Sequence, residues 1–220
     1  MVAGLLVGTA VGAWAGSRSR EYIETGDVPE LIDWGEVQRF AARMNSQHRI
    51  NASSRARLDG EYRSLVDRAV PQVSAYTGVT LPNELTEVYS FDRVDWVEAN
   101  VRNFRRLFEP IERLNPLREE GQTNRFNIAW GSVNQRVLTA EVGFLLGYLA
   151  RRVLGQYDMT LLGRAPVEGG KLYFVHPNIL GVERTLQLPS EDFRLWLALH
   201  EVTHAIEFEG SAWLQGYFNS

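Results

Sequence analysis

A chain of 220 residues that is 45% hydrophobic can bury one sizeable core, and its length argues against two large domains. A net charge of −4 lacks the positive excess that a phosphate backbone requires, so nucleic acid is not an expected partner. The absence of cysteine removes disulfides, thiolate nucleophiles and Cys-ligated zinc; it is compatible with a reducing compartment, and a cytoplasmic location is the expectation.

The chain opens with "MVAGLLVGTAVGAWAG", which has no charged side chain and repeats glycine at Gly4, Gly8, Gly12 and Gly16. On a helix this spacing makes a smooth groove that lets another backbone approach closely. Four readings stay open: a short membrane span followed by "SRSR", a signal peptide without a basic start, a buried helix, or disorder. Membrane contact would run through residues 1–16. A buried helix needs a partner with small residues, and Gly143 and Gly147 supply the same spacing.

Beyond the turn-rich "YIETGDVPEL", Asp33 is placed to cap a helix from Trp34 to about Asn45, with Glu36 completing a capping-box-like pair. A second helix is expected from about Ser54 to Tyr76, bent or interrupted near Pro71. "LTEVYSFDR" alternates and is rich in strand formers, which suits a strand or an extended loop. From Val94 to Phe108, Val97, Val101, Phe104 and Phe108 share a helical face, and Pro110 is expected to end or kink that helix. A long helical stretch follows from about Asn127 to Gly155, nearly all apolar from Val142 to Leu149, as in a helix buried on most sides. Gly169 and Gly170 turn into a strand from Lys171 to Val175, which Pro177 stops. The arginine pairs Arg105/Arg106 and Arg151/Arg152 read as solvated helix sides. The fold class is predominantly α, an α+β chain with a small β element.

The last helix carries "LALHEVTHAIEFEG". Ser190 is the expected N-cap, Glu191 and Asp192 suit the positive end of the helix dipole, and Gly210 is expected to close the helix in the left-handed conformation. His200 and His204, four apart, project about 40° from one another, so both imidazoles reach one metal ion. Leu195, Leu199, Val202 and Ile206 make an apolar stripe, which predicts a mostly buried helix. Buried imidazoles need hydrogen bonds or a metal, and the HExxH pattern favours zinc. Glu201 would act as general base on a zinc-activated water and then as acid toward the leaving amine. The bland alternative is a purely structural histidine pair.

A catalytic zinc takes three protein ligands, and the third is not evident. Glu207 shares the face of the two histidines but lies about 10.5 Å along the axis from His200, which suits a solvent-facing or outer carboxylate better than a ligand. Glu209 points away from that face. His176, at a strand end, reaches the site only if the fold brings it there.

"EVGFLLGYLARRVLGQYD", "FVHPNILGVERTLQLPSEDFRLWLALHEVTHAIEFEGSAWLQGYF" and, more weakly, "VDWVEANVRNFRRLFEPIERL" resemble the zincin-like metallopeptidases, some of which are associated with biosynthesis of a deazaflavin coenzyme. The resemblance runs from about Leu31 to the end. It implies a mainly helical zincin-like protein with His200 and His204 as zinc ligands and Glu201 as catalytic residue. It also implies a third ligand that is a glutamate on a later helix, in a Glu-Gly-His-Ala-like motif absent from this chain and so expected beyond Ser220. The organisation that follows is a glycine-rich apolar helix over residues 1–17 and a zincin-like metallopeptidase domain from 31 to 220, truncated at its C-terminus. The expected function is a zinc-dependent hydrolase of peptide or protein substrates, in which the Lys171–Val175 strand pairs with an extended peptide. The alternative is a noncatalytic helical module, membrane-attached through its first segment, with a remnant metal motif.

Overall fold

The computed structural model describes residues 30–81, 85, 87–114, 125–158 and 170–210, so the N-terminal glycine segment lies outside the described residues. Among them are α1 (Trp34–Met44), α2 (Ala52–Thr77), β1 (Glu87–Phe91), α3 (Arg93–Arg113), α4 (Arg125–Leu149), β2 (Gly155–Asp158), β3 (Lys171–Val175), α5 (His176–Leu186) and α6 (Ser190–Glu209). The expected class, mostly helical with a small sheet, is what forms. No helix among the described residues is long and apolar enough to cross a membrane.

The chain divides into two compact units, residues 1–40 with 107–145 and residues 41–106 with 146–220. In the first, Asp33 caps α1 as its sequence predicts, its Oδ1 accepting the Glu36 amide at 2.9 Å. The Asp33 amide donates to Thr139 Oγ1 at 2.9 Å, and Trp34 meets Phe108 edge-on at 5.7 Å. Gly143 lies under Phe40, where an added Cβ would stand 3.0 Å from the ring. In the second unit Gly147 lies under Met44, where a Cβ would come 2.8 Å from the sulfur. Gly143 and Gly147 each lie against a side chain of α1. The apolar run of α4 is not buried on most sides: Phe144 is 57% exposed, and Leu145 and Tyr148 are also open.

The second unit holds the core and the sheet. Asn51 caps α2, accepting the Ser54 amide at 2.9 Å, and Gly78 closes it with φ 71°, a left-handed conformation that favours glycine. Pro71 sits inside this helix on its exposed side, and the helix runs through it to Thr77. Leu58, Tyr62, Leu65, Val66, Ala69 and Val73 of α2 pack with Val88, Leu172 and Phe174 of the sheet and Leu197, Ala198, Val202, Ala205 and Ile206 of α6. Tyr62 stacks on Phe174 at 4.5 Å. Asp92, buried before α3, accepts the Val94 amide while its own amide donates to Asp95, and Arg49 pairs with it at 3.1 Å. Pro110 neither ends α3 nor marks its boundary; the helix runs on to Arg113.

The sheet order is β1-β3-β2, with β1 parallel and β2 antiparallel to β3. Both edges of β3 are therefore occupied, and the Lys171–Val175 strand cannot pair with a peptide as its sequence position suggested. The Val175 amide donates to the Leu154 carbonyl at 2.8 Å. Antiparallel pairing alternates, so Gln156 and Asp158 turn their backbone groups toward β3, whereas Gly155 and Tyr157 turn theirs to the outer edge. Two elements were not expected. β2 starts at Gly155, where the preceding helix was expected to end, and runs to Asp158; that helix in fact stops at Leu149. α5 starts where Pro177 was read as a stop, because proline at the first helical positions has its φ already set and lacks only an amide the helix does not use.

Candidate metal centre

α6 starts at Ser190, with Pro189 rather than Ser190 in the capping position. The Ser190 hydroxyl instead donates to Glu183 Oε2 at 3.0 Å, and Arg194 holds the other oxygen of that buried carboxylate at 2.7 Å, which fixes α6 against α5. Gly210 ends the helix at φ −75°, right-handed rather than left-handed as expected. At 100° per residue, Phe193, Trp196, His200, His204 and Glu207 fall within one stripe about 80° wide. Leu197, Ala198, Glu201, Val202, Ala205 and Ile206 occupy the buried side.

The histidines therefore do not face inward. His200 is exposed and His204 half-exposed, because the apolar stripe that docks α6 centres on its other side. Burial falls on the carboxylate: Glu201 is only 5% exposed. What binds the two rings into one site is geometry. Their Nε2 atoms stand 3.2 Å apart. Two nitrogens bound to zinc at about 2.0–2.1 Å with a tetrahedral angle between them would lie about 3.3 Å apart, so the pair fits two ligand positions of one ion. Trp196 stacks on His200 with centroids 5.6 Å apart, and Phe193 on Trp196 at 6.0 Å.

Glu201 packs over the edge strand. A Cβ placed on Gly155 would lie 2.5 Å from its Oε1 and 2.7 Å from its Cδ, so only glycine leaves room for this carboxyl. Burial pushes the Glu201 carboxyl up to about 7, opposed by His204 and by the backbone amide of Tyr157. A carboxyl with that value exchanges its proton near neutrality. Partial desolvation and then the neighbouring His204 shift the exposed His200 below its ordinary value, opposed by Glu207.

The other sequence candidates go elsewhere. His176 Nδ1 is engaged with Tyr62 Oη at 2.9 Å, and burial, then Arg194, lowers its pKa to about 4. Glu209 binds Tyr157 Oη and the Gly170 amide, the latter at 3.1 Å, and so ties the β2–β3 pair to the end of α6. Glu207 Oε2 lies 3.3 Å from His204 Nδ1, outside the ligand set. Among the described residues no group of three His, Cys, Asp or Glu side chains could hold a metal ion. The sequence reading missed Gly155 and Tyr157. A glycine six residues after a helix stop carries no sign that a carboxyl will rest on it.

The model of the zincin-like metallopeptidases matches residues 32–220. The chain belongs to that family. Among solved structures it is similar to "a putative hydrolase with a novel fold" from Chloroflexus aurantiacus, at 40% identity and a TM-score of 0.65. That likeness covers 85% of this chain, which spans 56% of the other's length. No curated protein matches. Neither match extends to the deazaflavin association that the resemblance implied.

Proposed function

We propose that this member of the zincin-like family is a zinc-dependent metallopeptidase in which His200 and His204 ligate the ion and Glu201 is the general base. The observation that carries the reading is the pair of Nε2 atoms 3.2 Å apart beside a buried carboxyl whose pKa is raised to about 7. Zinc held there would polarise a substrate carbonyl and lower the pKa of water. Glu201 accepts the proton of the attacking water and returns it to the leaving amine. The burial of Glu201 and the absence of a side chain at Gly155 fix where that proton is held. The third protein ligand is proposed to come from outside the described residues.

An extended peptide is the proposed substrate. What supports a peptide is the family match to the zincin-like metallopeptidases. A quenched-fluorescent peptide mixture tests the proposal. Cleavage should be abolished by a zinc chelator and restored by added Zn²⁺; cleavage that survives complete removal of metal, or no cleavage by the zinc-loaded protein, would contradict it.

A further inference from the structure

Glu207 is the side chain on the ligand stripe of α6 that the proposed chemistry does not use. Its Oε2 stands 3.3 Å from Nδ1 of His204, three residues back on the same face, and it is itself largely exposed. As an isolated surface ion pair this contact would stabilise little. Its consequence lies in the ring. A carboxylate can only accept, so the contact places the imidazole proton on Nδ1 and leaves Nε2 with its lone pair free. Nε2 is the atom that faces His200 at 3.2 Å.

We infer that Glu207 is a positioning residue that fixes the tautomer and orientation of His204 for the metal; the inference rests on the zinc reading of the site. Glu201 cannot serve this role, since it is buried on another side of the helix over Gly155. In the metal-free protein, His204 Nε2 then accepts from Nε2–H of His200. Ion binding requires only that His200 move its proton to Nδ1, since His204 already presents a bare nitrogen. The His200 ring is held from the other direction by its stack on Trp196. The two ligands are thus braced at both ends of the stripe, one by an aromatic face and one by a carboxylate.

Two measurements test this. Long-range ¹H–¹⁵N correlation on the metal-free protein reads the imidazole tautomers directly. The wild type should show His204 protonated at Nδ1, and Glu207→Ala should shift it toward Nε2–H. Zinc competition against a chelating dye should show Glu207→Ala binding about 10- to 100-fold more weakly, with Glu207→Gln, whose carbonyl still accepts, losing less. An Nε2–H tautomer in the wild type, or equal zinc affinity for wild type and Glu207→Ala, would overturn the inference. The tautomer is read without metal, so it decides on Glu207 separately from zinc uptake by the wild type, whose failure would instead remove the metal reading. Glu207 is exposed and outside the core, so loss of fold does not confound either result.

Discussion

Glu201→Gln should leave zinc bound, abolish hydrolysis and make the metal-free protein more stable at alkaline pH. The substitution keeps the size and hydrogen-bonding shape of the side chain but removes the group that takes the proton, which should cost about 10²- to 10⁴-fold in rate. The stability gain follows from where the carboxyl sits. Its pKa is raised from 4.5 to about 7 in the folded chain, so the native state retains a proton over that interval that the unfolded chain gives up. Wild-type stability therefore falls as pH rises from about 4.5 toward 7, and above 7 the native state carries a buried charge. Glutamine has no charge to bury. The difference should be near zero at pH 4 and reach on the order of 2–3 kcal/mol above pH 7, read as a pH-dependent gap between urea midpoints. Equal midpoints at pH 8 would mean that the carboxyl is not desolvated; full activity in the variant would mean that another group is the base.

The second large effect is expected at Gly155→Ala. The new methyl carbon would stand 2.5 Å from Glu201 Oε1, 2.7 Å from Cδ and 2.8 Å from Cγ, closer than real contacts allow, and Glu201 is buried with little room to yield. Either β2 moves outward or the carboxyl swings away. Overpacking of this kind typically costs about 1–3 kcal/mol. A displacement of about 1 Å in a catalytic group lowers turnover by about 10²-fold. The new methyl meets the Glu201 carboxyl and not the ring nitrogens of His200 and His204, so zinc affinity should change far less than turnover. The signature is thus lost stability and lost turnover with intact metal binding, measured by urea unfolding, peptide cleavage and zinc competition on one preparation. Wild-type stability together with wild-type turnover would show that Glu201 does not rest on β2.

What the sequence disclosed and what it hid divide along a physical line. Signals written within one turn of chain were legible: the Asp33 cap, the β3 strand and the His200/His204 spacing each depend on neighbours fewer than five residues away. Elements defined by distant partners were not. β2 is four residues long and has no apolar alternation of its own; it is a strand because β3 supplies its ladder. α5 was hidden by Pro177 and Gly181, and it forms because Asn178, Ile179 and Glu183 are buried. Which side of α6 is buried was also misjudged. The apolar stripe was visible, but the share of the helix it would cover depends on α2, whose Leu58, Tyr62, Leu65 and Val66 claim the face opposite the histidines. The proposal of a metal site therefore rests on the convergence of two exposed rings rather than on their burial.

The most direct measurement is the zinc content of the protein purified without chelators, by elemental analysis, beside His200→Ala and His204→Ala. One zinc per chain, lost in each variant while the fold persists by circular dichroism, is the predicted result. A wild type that takes up no divalent metal, or a zinc that stays bound when both histidines are removed, would contradict the assignment of this helix as a metal centre.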